Sequence, residues 1–209
     1  MAYALDIAKP GLVFLKDTWR ILSSPPEHET YKKLEAQKVR NIAQCIIGQD
    51  VGLGLGTLDS RFHETQTGVY VNEPWNNGSH SLRPFRHYQL VLEYIKLGLS
   101  GFRNVRELVI LIRDAFIAFD DAFMLAHILH RDISIGNIMI KEENGMVIGV
   151  LIDWDLCKDL NVSPSSGRRH ERTGTWAFMS ARLVAGSTQH TRNDDAESFY
   201  HILNYIASR

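Results

Sequence analysis

Short apolar runs separated by turn formers open the chain. Tyr3 to Ile7 and Leu12 to Lys16 flank Ala8-Lys9-Pro10-Gly11, a spacing that predicts a hairpin whose second strand ends at Lys16. Past Ser23-Ser24-Pro25-Pro26 the pattern changes to helix formers over residues 27–39, and Ser24 with Glu27 resembles a capping box with proline in the first turn. Residues 48–84 are rich in glycine, asparagine and other polar side chains, with Val69 to Val71 the clearest strand fragment and Asn77-Gly78 a turn. His87 to Ile95 predicts a buried strand, broken by Gly98 to Gly101. From Asn104 to Met124 apolar residues recur at helical spacing, which places Val105, Leu108, Ile112, Ala115, Phe116 and Phe119 on one core-facing side. Ile138-Met139-Ile140 and Val147 to Ile152 bracket Glu142-Glu143-Asn144-Gly145 and predict a second hairpin. Residues 159–175 are too polar and broken for a core element, and a final helix begins near Asp194, with Phe199, Ile202, Leu203 and Ile206 at helical spacing.

Composition narrows the class. At 209 residues and 44% hydrophobic content the chain can bury a sizeable core, as one domain or two small lobes. Its 23 basic and 24 acidic residues leave a net charge of -1, so no global field favours nucleic acid or an anionic membrane, and any phosphate binding must be local. The two cysteines, Cys45 and Cys157, make neither a disulfide framework nor a zinc site. Asp6 and Lys9 spoil a secretory core, and charges interrupt the longest apolar region, Val105 to Leu129. The expectation is an intracellular protein, cytoplasmic or nuclear, with no nucleic-acid or membrane partner.

One stretch carries chemistry. His130-Arg131-Asp132 is followed five residues after the aspartate by Asn137, between the long helix and the second hairpin. Phosphoryl transfer asks a protein for a carboxylate that orients and accepts the proton of the attacking hydroxyl, and for oxygen ligands to magnesium. Asp132 suits the first task and Asn137 the second. Beyond the hairpin, Asp153 in Leu151-Ile152-Asp153-Trp154-Asp155 stands at a strand end, where a carboxylate can hold a hard cation against phosphate oxygens.

These motifs resemble the fungal-type protein kinase domain family, a divergent branch of the protein kinase superfamily, over nearly the whole chain. The resemblance implies an α+β, two-lobed kinase-like fold: residues 1–95 as a partial β-rich N-lobe with one helix near 27–39, and residues 96–209 as a partial C-lobe. Leu12 to Arg20 resembles the family's third strand, which makes Lys16 the contact to the α- and β-phosphates of ATP. Glu29 is its candidate ion-pair partner, with Glu27 and Glu35 as rivals on the same helix. Leu90 to Ile95 resembles the strand entering the hinge, with Leu92 as gatekeeper and Glu93 and Ile95 beside adenine. Asp132 and Arg131 belong to the catalytic loop, and Asn137 and Asp153 to the magnesium site. Gly174 to Arg182 resembles the end of an activation segment, and Asp195 is expected to accept hydrogen bonds from the catalytic-loop backbone.

The chain also departs from ordinary kinases. Asp-Trp-Asp replaces Asp-Phe-Gly, which removes a glycine hinge. Ser134 stands where a lysine usually meets the γ-phosphate, and Ala181-Arg182 replaces Pro-Glu, so the usual buried ion pair is not expected. Lys16 lies so near residue 1 that the glycine-rich strand pair is expected to be missing or reduced to its second strand, with the helical C-lobe also incomplete. Val51-Gly52-Leu53-Gly54-Leu55-Gly56 follows the Lys16 strand and reads as a loop. His127 and His130 have zinc-like spacing without further ligands, and Asn77-Gly78-Ser79 reads as a plain turn. Ser163, Ser165, Ser166 and Thr173 are expected phosphorylation sites, with Arg131, Arg168 or Arg169 available to the phosphate. The expected activity is transfer of the ATP γ-phosphate to a protein serine or threonine hydroxyl, dependent on Mg2+. The alternatives are a small-molecule kinase of aminoglycoside or choline type, or an impaired pseudokinase fragment that acts by binding.

Overall fold

The computed structural model describes residues 2–6, 11–52, 61–70, 73–75, 83–162, 173–186 and 189–209. The first hairpin's turn at residues 8–10, the glycines past Gly52 and the expected Asn77-Gly78-Ser79 turn lie outside them. The chain divides into two compact units, residues 1–32 with 44–94 and residues 33–43 with 95–209.

In the first unit, β1 (Ala2–Asp6), β2 (Gly11–Ile21), β3 (Cys45–Asp50) and β4 (Phe85–Glu93) form one antiparallel sheet in the order β1-β2-β4-β3. A helix, α1 (Glu27–Ala36), follows β2. Strand β4 is central, and its alternation buries Tyr88, Leu90 and Leu92. Strand β2 runs past Lys16 to Ile21 because its polar residues find partners across the ladder. Asp17 accepts from Gln89 Nε2 at 2.8 Å and lies 2.6 Å from His87 Nε2. Buried Arg20 makes two 2.7 Å bonds to the Asp50 carboxylate on β3. Strand β3 has no clean alternation and is not expected from the pattern. The expected strand at Val69 is instead a 3-10 turn over Gln66–Tyr70, held where Thr67 Oγ1 donates to the Arg83 carbonyl.

The second unit holds β5 (Leu97–Gly98), α2 (Val105–Ala126), β6 (Ile128–Leu129), β7 (Ile138–Glu143), β8 (Met146–Leu151), β9 (Lys158–Asp159), α3 (Ala181–Val184) and α4 (Arg192–Ala207). Strands β5, β7 and β8 form one small sheet, and β6 pairs with β9. Asn104 caps α2 by accepting from the Glu107 amide at 3.0 Å, while the Glu107 carboxylate accepts the Arg103 amide at 2.8 Å. Helix α2 buries Leu108, Leu111, Ile112, Ala115, Ala118 and Phe119. Two residues expected on this face are not buried: Val105 is 72% exposed, and Phe116, 37% exposed, sits at its edge with its ring against Phe119 and Phe199. His127 ends α2 in the left-handed conformation at φ 56°, a capping role. The β7–β8 hairpin closes through Asn144 (φ 51°) and Gly145 (φ 75°), the pair of positive angles that a two-residue turn requires. Among the described residues no helix is long and apolar enough to cross a membrane.

Candidate active site

Strand β6 delivers the chain to His130, which is fully buried, with its ring 4.6 Å from that of Trp154 in an edge-on contact. Its protonation state follows from its partners. The Asp132 amide donates to His130 Nδ1 at 3.3 Å, so Nδ1 must accept, and Nε2 therefore carries the hydrogen that meets the Ile152 carbonyl at 3.0 Å. Burial also pushes this imidazole's pKa down, which keeps it neutral. His130 thus ties the loop to the segment carrying Asp153.

Arg131 adopts φ 71°, a left-handed conformation that only tertiary contacts can hold in a non-glycine residue. The contacts come from Asp195 in the first turn of α4. Its Oδ2 accepts the His130 amide and its Oδ1 the Arg131 amide, both at 3.0 Å. The expected role of Asp195 is therefore seen directly. From the other side Gly174, at φ 113°, lies so close that a Cβ there would stand 2.7 Å from the Arg131 carbonyl oxygen.

Asp132 and Asn137 are brought together. Asn137 Nδ2 donates to the Asp132 carbonyl at 2.8 Å and to Asp132 Oδ2 at 3.2 Å. Asp132 Oδ1 accepts both the amide and the hydroxyl of Thr175, at 2.8 and 2.7 Å. Thr175 has no local signal beyond its place in the Gly174 to Arg182 stretch. Asp153 follows Ile152, whose amide donates to the Asn137 carbonyl at 3.0 Å, so the two oxygen-bearing residues are neighbours through the backbone. Asp153 also adopts a left-handed angle, φ 66°.

In the first unit Lys16 Nζ pairs with Glu27 Oε2 at 2.7 Å, which corrects the expected partner, Glu29. Glu27 opens α1 with its side chain 2% exposed. Glu29 lies two residues on, about 200° around the helix, and is exposed. Glu35 is exposed as well. Leu92 is buried in β4, and the Glu93 amide donates to the Gln44 carbonyl at 3.0 Å. Ile95 is buried in the second unit.

Where ordinary kinases carry Pro-Glu, Arg182 pairs with buried Asp194, which also accepts the Ser180 hydroxyl at 2.6 Å. An ion pair is present with the cation on the segment that leads into α3. Burial of Asp194 opposes its charge, but hydrogen bonds from Arg182, Ser180 and Thr191 outweigh it and hold the carboxyl pKa far below the usual range. Ser163, Ser165, Ser166, Arg168 and Arg169 lie outside the described residues.

Small sheets and four helices among the described residues give the mixed α/β architecture of a kinase-like domain. The chain belongs to the fungal protein kinase family, whose sequence model matches residues 6–207. No curated protein matches it.

Proposed function

We propose that this chain transfers the γ-phosphate of ATP to a hydroxyl on a protein acceptor. The observation that carries the reading is the loading of the Asp132 carboxylate. Two short donors from Thr175 fill Oδ1, while Oδ2 receives only the 3.2 Å bond from Asn137 among the described residues. Oδ2 is thus the oxygen with capacity to take a proton. As the acceptor oxygen bonds to the γ-phosphorus, its proton passes to Oδ2, the bond to the bridging β-oxygen breaks, and ADP leaves with the electron pair.

Residues 1–95 serve in this reading as the nucleotide lobe and 96–209 as the catalytic lobe. Lys16, oriented by Glu27, meets the α- and β-phosphates, and Leu92 lines the adenine site. The backbone of Glu93 and Ile95 meets adenine in this reading, with the Glu93 amide already donating to the Gln44 carbonyl. Asn137 and Asp153 fit a magnesium ion. Committing Asn137 Nδ2 to Asp132 turns its Oδ1 to the other side, and carboxylate with amide oxygen is a hard donor set. Bound there, magnesium supplies charge neutralisation for the phosphates. Arg131 acts through the backbone kink that presents Asp132.

Transfer of labelled γ-phosphate to a generic protein and to small alcohols is the test. Asp132→Asn should lower transfer by about 100-fold or more while ATP affinity stays within about twofold. Equal rates in the two proteins would remove Asp132 from the chemistry, and label appearing only on small alcohols would remove the protein acceptor.

A further inference from the structure

His190 stands one residue before Thr191, the N-cap of α4, and Asp195 is the fourth helical residue. Side chains at these two positions commonly pack on each other as an apolar staple that fixes the entry angle of a helix. Here both are polar. His190 Nε2 lies 2.8 Å from Asp195 Oδ1, with side-chain exposures of 7% and 0%. A carboxylate accepts, so the shared hydrogen belongs to Nε2.

The imidazole is also held from both sides along the chain. Arg182 Nη2 donates to the Gln189 carbonyl at 2.6 Å, and Thr191 donates its amide and hydroxyl to Asp194 Oδ2 at 2.7 Å each. Among the described residues Asp195 has the amides of His130 and Arg131 and the His190 ring as partners, and no lysine or arginine. A buried carboxylate without a permanent cation depends on each donor it has.

We propose that His190 is a positioning residue for the catalytic loop. Its Nε2–H completes the donor set on Asp195, so the carboxylate stays aimed at the two amides that pin the left-handed kink at Arg131 and, with it, the register of Asp132. The part concerning turnover rests on the phosphotransfer reading above; the part concerning the loop does not.

The test separates a positioning role from a plain staple. His190→Leu replaces a polar staple with an apolar one and removes the donor, while His190→Gln keeps an N–H at nearly the same reach. In the 209-residue chain, amide hydrogen exchange at His130 and Arg131 is measured beside kcat and KM for ATP. With leucine, exchange at both amides should speed up about tenfold and kcat fall about tenfold, with KM within about twofold, the scale of one hydrogen bond to a charged group. Glutamine should restore most of both. Wild-type exchange in the leucine variant, or a glutamine variant as impaired as leucine, would overturn the proposal. Should leucine prevent folding, His190→Ala supplies the donor-free comparison. If the wild-type chain shows no phosphotransfer, that reading fails by itself, and the exchange comparison still decides the role of His190.

Discussion

A single helical step decides which glutamate serves Lys16. Residues two apart on a helix face nearly opposite ways, so Glu27 and Glu29 cannot substitute for one another however similar their chemistry. Glu27 spends a buried carboxylate on Lys16, whereas Glu29 stays in solvent. Glu27→Gln should therefore lower kcat/KM for ATP about tenfold, the scale of one charge-assisted hydrogen bond, while Glu29→Gln stays within about twofold. Steady-state kinetics on both variants checks this, and the reverse ranking would reinstate Glu29. The two short bonds from Thr175 to Asp132 act on the same scale, by choosing which carboxylate oxygen remains open.

At the level of elements, the loop that carries Asp132 depends on how closely β8 lies on α2. A Cβ at Gly149 would stand 2.0 Å from the Leu111 carbonyl oxygen in the second turn of α2, a backbone atom that cannot swing aside. Gly149→Ala must push the strand and helix apart, and overpacking of this kind costs about 1–3 kcal/mol. Urea melts of the variant should show a lower midpoint with an unchanged slope. Stability equal to wild type would mean that the strand rides freely over the helix. The displacement would be felt at the site, because β8 leads directly to Ile152 and its bonds with Asn137 and His130.

For the molecule as a whole, acid weakens the fold in two stages. Burial lowers the pKa of the His130 and His28 imidazoles, so the folded chain binds fewer protons than the unfolded one just below the ordinary histidine value. Stability from this source is present above about pH 6.5 and is lost as pH falls toward the folded values. The second stage comes from carboxyls held low: Asp50 by the Arg20 hydrogen bond, Asp121 by Arg40, and Asp194 by donors that outweigh its burial. Their contribution is present above about pH 4 and is lost below it, as each carboxyl takes up a proton. Thermal melts across the range should show Tm falling first between about pH 7 and 5 and again below about pH 4. A flat profile above pH 5 would contradict the buried neutral state of His130.

Much of this was legible along the chain. The β7–β8 hairpin follows from Asn144-Gly145 between apolar runs, and α2 from its period, because a hairpin turn and a helical stripe are set by near neighbours. The H-R-D loop and Asp153 were legible as well, since one loop and one hairpin set their spacing. Contacts between distant elements were not. Asp132 and Thr175 lie 43 positions apart and His130 and Asp195 lie 65 apart, and only packing of α4 and the returning segment brings them together. The Arg20–Asp50 bond spans 30 positions and makes an edge strand of a segment without alternation. Sequence by itself determined the elements whose contacts are local, α2 and the β7–β8 hairpin, and the spacing of the candidate residues Asp132, Asn137 and Asp153 along the chain. Tertiary structure alone decided their partners, because a hydrogen bond is set by distance and direction in space, and spacing along the chain fixes these only within a single element.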